Sequence, residues 1–372
     1  MRILLVGNYL PDAQQSMLRF CATLGAELHK TGHEVRVIHP GVRLTGGKRT
    51  RDKLAKWLAY IDKFVIFIPR LRRLAAWADV VHICDHAYSL YTAVLGNIPS
   101  VVTCHDLLGV RSAFGEFKDQ KVGGSGRKYQ RMILKGLERA SFVGCDSLAT
   151  RSDLLRLSKV PENRTALVYI GYNFPYAAAS DGERKRRLKR FGIDADDRFM
   201  IHVGADVWYK NLTGVIRIFN RLVVSPEGRD LCLVMIGNGR REDLKALVKG
   251  CGLQSKVTML SNVPCEDLCA LYSGACGLLF PSLCEGFGWP IIEAQACGCP
   301  VFASDRPPMT EIGGEGAVYF NPEGYDRAAE LIRGHLSNPL DMRAAGLLNA
   351  RRFSAANTAA AYVGVYSGVI AS

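Results

Sequence analysis

The chain has no apolar run of the roughly 18–20 residues that a membrane-spanning helix requires, although 48% of its 372 residues are hydrophobic. No leader is expected. The first apolar run, Ile3 to Val6, is too short for a signal peptide, and no small-residue cleavage site follows it. A cytoplasmic location is therefore expected. Twelve cysteines include no Cys-x-x-Cys pair, and Cys297 and Cys299, which flank one glycine, are poorly spaced for structural zinc. Most of the others sit in apolar segments, where cysteine behaves as a small hydrophobe. Free thiols and no metal are expected. His82-Ile83-Cys84-Asp85-His86 places ligand-type residues on one strand face, yet reads better as the end of a buried strand entering a cleft. The Gly-x-Gly-x-x-Gly fingerprint of a dinucleotide fold is missing, which argues against an NAD(P)-dependent oxidoreductase. No zinc finger or RNA-recognition motif accompanies the basic residues, which argues against nucleic acid.

Positive charge is in excess. The net charge of +13 calls for an acidic partner: nucleic acid, a sugar nucleotide or an anionic membrane. From Arg43 to Arg73 there are ten Lys/Arg and two Asp, interleaved with Leu54, Trp57, Tyr60, Ile61, Phe64, Val65, Phe67 and Leu71. A basic segment with apolar residues at near-helical spacing is either an interfacial helix on an anionic bilayer or a core helix with a solvated basic face. The first reading would put the protein on the inner face of the membrane. The clusters Arg127-Lys128-Arg131-Lys135 and Arg184 to Arg190 read as helix surfaces.

Short apolar runs alternate with helical patterns along the whole length, which implies parallel sheets with right-handed crossovers. Six runs from Ile3 to Tyr169 and six from Phe199 to Phe320 predict two doubly wound α/β domains. The expected division is 1–175, 176–353, and a final Ala-rich helix in 354–372. Ligands of such sheets bind beyond the carboxyl ends of the strands, so the loops after the strands are where site residues belong.

The most informative loop is Pro281 to Ala294. It follows the apolar strand Gly277–Phe280 and enters a helix through Gly286 and Gly288, whose bare backbones can approach a ligand closely. Pro290 suits a first helical turn, and a glycine-rich turn opening onto a helix N-terminus can hold phosphate. Glu285 lies in the loop and Glu293 about one turn into the helix, eight positions apart. They can thus contact opposite ends of one elongated ligand.

This spacing, with Gly-Phe-Gly, Pro290 and the following Cys297-Gly298-Cys299-Pro300-Val301, resembles the Glu-x7-Glu motif of the retaining GT-B glycosyltransferases of family 4. The resemblance implies the GT-B fold, two Rossmann-like domains facing a central cleft, with the last helix returning to the first domain. It implies transfer of a sugar from a nucleoside-diphosphate sugar (UDP, GDP or ADP) to an acceptor hydroxyl, on a glycan, a lipid-linked sugar or a small molecule, with no cofactor. By resemblance, Glu293 binds the ribose hydroxyls, Glu285 the donor sugar, and the backbone at Gly286, Phe287 and Gly288 the sugar and phosphate. Lys210 matches the lysine that neutralises the diphosphate, and by the same resemblance Asn211 after it and Gly237 are expected to contact the donor nucleotide or sugar. The arginine usual shortly after Gly204 is missing, since Ala205 and Asp206 stand there; Arg240 or Arg241, after Gly237, is a candidate replacement. Asn262 and Val263 are expected at the base. His105 is expected to contact the donor sugar from the first domain, so Glu285, Lys210 and His105 are the expected catalytic residues. Asp106, Asp146, Asn8 and Tyr9 are placed on the acceptor side, although the loop after the first strand lacks the Gly-Gly pair of many relatives. The competing readings are a sugar-nucleotide epimerase of the same fold and a non-enzymatic protein that binds anionic membranes.

Overall fold

The structure, a computed structural model, describes residues 1–46, 53–237, 242–336 and 340–372. Among these residues, twelve strands form two six-stranded sheets. The first contains β1 (Arg2–Val6), β2 (Glu34–Ile38), β3 (Val80–Ile83), β4 (Ser100–Cys104), β5 (Phe142–Cys145) and β6 (Thr165–Leu167). Its order is β2-β1-β3-β4-β5-β6, with Val6 opposite both Ile38 and Ile83. The second contains β7 (Phe199–Val203), β8 (Cys232–Ile236), β9 (Val257–Leu260), β10 (Gly277–Phe280), β11 (Val301–Ser304) and β12 (Ala317–Phe320), in the order β12-β11-β10-β7-β8-β9. Each ladder in both sheets is parallel.

Helices cover both faces of a parallel sheet, so its inner strands are apolar without alternation. β3, β4, β10 and β11 are buried at every residue. The edge strands β2 and β9 are largely open to solvent and carry polar residues such as Glu34, Arg36 and Thr258, which discourages pairing with another chain. The chain divides into two compact units, Met1–Asn173 with Ser354–Ser372, and Phe174–Phe353. The helix Ala355–Ala371 lies in the first unit, where Tyr362 and Tyr366 are fully buried.

The basic segment 43–73 divides its residues between two environments. Residues 47–52, and with them Lys48, Arg49 and Arg51, lie outside the described residues. From Lys53 the chain runs as a helix to Ile61, a wider π turn over Asp62–Ile66, and a second helix Phe67–Ala75. One face is core: Phe64, Phe67 and Leu71 pack into the first unit's cluster, and Asp62 is fully buried. Burial works against the charge of Asp62, but bonds from the Tyr9 hydroxyl and the N–H groups of Arg43, Leu44 and Thr45 outweigh it and hold the carboxyl below its ordinary range. Leu54, Trp57 and Val65 remain exposed, at 71%, 70% and 62%.

Candidate functional site

In a doubly wound sheet the ligand crevice opens where the strand order reverses. In the second unit that point lies between β7 and β10. Lys210 ends the short turn Trp208–Lys210 after β7, and Glu285 lies in the loop after β10. Lys210 Nζ approaches Glu285 Oε1 to 2.7 Å, with side-chain exposures of 12% and 8%. Among the described residues Lys210 is the one group facing Oε1, which has no other partner and can accept further hydrogen bonds. The ammonium also stands 4.9 Å from the centre of the Phe280 ring.

Backbone and amide bonds hold these two loops together. The Leu283 N–H donates to the Tyr209 carbonyl at 2.7 Å. Asn211 donates to the carbonyls of Pro281 and Pro322, and its Oδ1 accepts from the Gly214 N–H, capping the helix Leu212–Val223. Expected to bind the donor, the Asn211 side chain is instead fully engaged in fixing the loops. Gly237 is required for a similar reason: a Cβ there would strike the carbonyl oxygen of Gly204.

Gly288 caps the helix Trp289–Ala296 at φ +108°, a backbone region that residues with a Cβ rarely enter. Gly286 lies in the bend before it. Phe287 is buried edge-on against Trp289 and Phe353, so only its backbone can serve a ligand. Glu293 is 7% exposed and accepts a 3.1 Å hydrogen bond from the Tyr272 hydroxyl. Asn262, at φ +54°, is exposed and Val263 is half-buried. Arg240 and Arg241 lie outside the described residues. Sequence reasoning missed three polar residues here: Tyr272, which holds Glu293, and His202 and Ser282, which are buried with a side-chain atom lacking a hydrogen-bond partner among the described residues. A histidine interrupting the apolar run Phe199–Val203 was the available signal.

In the first unit the order reverses between β1 and β3. Asn8 and Asp85 follow these strands, and Asn8 Nδ2 donates to Asp85 and to Gln14, both at 2.5 Å. Asn8 is fully buried, and its Oδ1 has no hydrogen-bond partner among the described residues. His105 and Asp146 follow β4 and β5. His105 Nδ1 is 2.5 Å from Asp146 Oδ2, and Nε2 is 2.8 Å from the Cys84 carbonyl oxygen. A carbonyl only accepts, so Nε2 carries a hydrogen, and the carboxylate takes the one on Nδ1. Burial alone would push His105 down; the Asp146 carboxylate outweighs it and lifts His105 to about 9. Burial also pushes Asp146 up against the pull of His105. The pair thus shares one proton, which we place on His105 because the Cys84 carbonyl secures the second N–H. Both ring nitrogens are engaged inside the unit, so the imidazolium organises this end of the sheet and has no spare donor for a sugar. Asp106 Oδ1 caps the Leu108 N–H at 2.9 Å. Tyr9 is fully buried, and its hydroxyl donates to Asp62 Oδ2 at 2.7 Å and meets Thr45 Oγ1. It is a core residue and presents nothing to an acceptor. The metal reading of the β3 segment meets a similar fact, because His82 bonds to Tyr366 and Thr103 through its two nitrogens.

Comparison with known proteins agrees with this geometry. The model of the glycosyl transferases group 1 matches residues 183–352, and that of Glycosyltransferase Family 4 matches residues 17–174. O-antigen chain mannosyltransferase B of Escherichia coli is 26% identical over 248 residues, 64% of each chain. O-antigen chain mannosyltransferase RfbU of Salmonella typhimurium is 31% identical over 196 residues, 52% of this chain and 51% of that one. The chain thus matches between half and two thirds of the length of these relatives. Among solved structures, sucrose-phosphate synthase of Thermosynechococcus elongatus superimposes with a TM-score of 0.78 at 20% identity, covering 100% of this chain and 99% of that one. Anabaena HepE, crystallised with UDP and glucose, gives 0.76 at 15% identity, covering 99% and 100%. With one model matching each unit and the GT-B architecture spanning the whole chain, this protein belongs to the family 4, group 1 glycosyltransferases.

Proposed function

We propose that the chain moves a hexosyl residue, mannosyl first, from a nucleoside-diphosphate sugar to a hydroxyl of a growing glycan, with retention at the anomeric carbon. The observation that carries the reading is the Lys210–Glu285 pair at the switch point of the second sheet. The leaving group is a diphosphate, so the main task is to stabilise the charge that develops on it. Lys210 and the N-terminus of the helix that begins at Trp289 supply positive potential there. Glu285 holds Lys210 until a donor arrives and then shares it with the phosphate while accepting from sugar hydroxyls. Glu293, oriented by Tyr272, accepts from the ribose diol. Both carboxylates already have binding partners, which favours attack from the face of the leaving group, assisted by the phosphate, over a double displacement. Mannosyl is favoured because the two relatives described above are mannosyltransferases, and a nucleotide-sugar donor because HepE, of the same fold, is crystallised with UDP-glucose. The epimerase alternative has no observation in its favour.

The test is transfer of radiolabel from a panel of GDP- and UDP-sugars to lipid-linked glycan acceptors. Lys210→Ala and Glu285→Ala should each lower kcat at least about 100-fold, the usual effect of removing one transition-state contact. Turnover that survives Glu285→Ala would remove the site assignment.

A membrane-bound acceptor is favoured by one further observation. The segment that exposes Leu54, Trp57 and Val65 also exposes Lys56, Arg70, Arg72 and Arg73. The helix Gly124–Arg139 packs beside it through Tyr60 and Tyr129 and adds exposed Arg127, Lys128, Arg131 and Lys135. Exposed apolar side chains in a basic segment suit the headgroup region of an anionic bilayer. Among the described residues no helix is long and apolar enough to cross a membrane.

A further inference from the structure

His202 has no part in the function proposed above, yet it lines a pocket at the carboxyl ends of β7, β8 and β9. The pocket is half open, and with the solvent at its mouth it spans about 400 Å³. Its walls are mainly apolar, with Met235 and Met259 among them and Asp206 the one charged side chain, and Gly204 and Gly237 leave it open. His202 itself is 1% exposed. Its Nδ1–H donates to the Leu279 carbonyl at 2.9 Å. That bond fixes the tautomer, leaving Nε2 as a bare acceptor. Among the described residues Nε2 is buried without a hydrogen-bond partner, and a Cβ on Gly204 would come within 3.1 Å of it. The atom is therefore turned toward the glycine that lines the pocket. Burial holds the ring down at about 4, with the Leu279 bond opposing and the nearby Lys210 charge reinforcing the shift. The imidazole is neutral at physiological pH.

A neutral acceptor does not complement a diphosphate, whose oxygens are also acceptors. It complements an N–H or O–H. In a nucleoside-diphosphate sugar, the part with flat apolar faces and an N–H at its edge is the base. Methionine sulfur contacts aromatic rings favourably, and β9 leads directly into Asn262 and Val263.

We propose that the base of the donor nucleotide enters this pocket and donates an N–H to His202 Nε2. The inference rests on the sugar-nucleotide reading and names the residue that selects the base. A buried acceptor left without its donor discriminates strongly against a ligand that lacks one.

The experiment is calorimetric titration of the full chain with UDP, GDP, ADP and CDP. The tightest of them is then compared with its analogue methylated at the base N–H, in wild type and in His202→Phe. In wild type, methylation should weaken binding about 10-fold or more. In His202→Phe, the parent nucleotide should bind about 10-fold more weakly and methylation should make no further difference, while affinity for inorganic pyrophosphate stays unchanged. Methylation without effect on wild type, or an equal effect in both proteins, overturns the inference while leaving the function standing. The wild-type comparison stands even where the variant does not fold. Binding of no nucleotide by wild type would overturn the sugar-nucleotide reading and this inference with it.

Discussion

At the scale of single residues, the first unit contains a buried ion pair whose charge state reports on folding. His105 ordinarily titrates near 6.5 and is lifted to about 9 in the folded protein. A raised value means that the folded state binds the proton more tightly. The resulting stability is fully present below about 6.5 and is lost as pH rises through about 9. The shift corresponds to roughly 3 kcal/mol at most. Thermal unfolding followed from pH 6 to 10 should therefore show a fall in Tm between 6.5 and 9.5 that is much smaller in Asp146→Asn. Parallel curves for the two proteins would mean that Asp146 does not set the charge of His105. The two residues are 41 positions apart in sequence. The family resemblance put each of them at the site separately, but nothing in the sequence said that they share a proton. The same holds for Lys210 and Glu285, which matched motifs separately and meet only because β7 and β10 are neighbours in the sheet.

At the scale of elements, the helical stretch from Lys53 to Ala75 shows how a pattern is legible while its environment is not. Its apolar residues at near-helical spacing announced a helix with two kinds of face. Which face met the core depended on tertiary partners. Phe64 packs among Tyr60, Tyr88, Tyr91 and Tyr129, so it belongs to the interior. Trp57 and Val65 stay exposed, and on the membrane proposal they are the residues that would meet a bilayer. At low salt the protein should float with liposomes rich in anionic lipid, and the pair Trp57→Ser with Val65→Ser should reduce the floated fraction several-fold with no loss of Tm. High salt should weaken flotation as the charges are screened. Equal recovery with neutral and anionic vesicles, or none at low salt, would end the idea. Asn211 and Tyr9 teach the opposite lesson. Both are polar residues in site loops, and both are engaged by the fold. A polar residue in a conspicuous loop is as often needed to fix the backbone as to touch a ligand.

At the scale of the whole molecule, the last helix is part of the first unit. Tyr366 bonds to His82 Nδ1 at 2.6 Å, His82 Nε2 meets Thr103 Oγ1 at 2.8 Å, and Thr103 meets the Tyr362 hydroxyl at 2.6 Å. These groups are fully buried, and burial pushes His82 down to about 3, so the chain is uncharged. Tyr366→Phe leaves one ring nitrogen without its partner and should cost about 1–3 kcal/mol. Hydrogen exchange should show the loss in the amides of β3 and β4, with β7 and β10 unchanged. Equal loosening of the second unit would show that the two do not hold stability separately.

The sequence by itself determined the elements and their succession. Apolar runs of strand length between helical patterns marked all twelve strands, several to the residue, as at Val80–Ile83 and Gly277–Phe280. They could do so because a strand covered on both faces must be apolar throughout, a local constraint visible in one segment. The Glu285–Glu293 motif was legible for a similar reason: its glycines, proline and carboxylates act within one loop and one helix turn. Only the tertiary structure decided which strands adjoin, where the order reverses, and therefore which loops meet. It placed Lys210 on Glu285, Tyr272 on Glu293 and a bare His202 nitrogen at an apolar pocket. Those are contacts between side chains distant in sequence, set by sheet order and packing, and no local pattern encodes them.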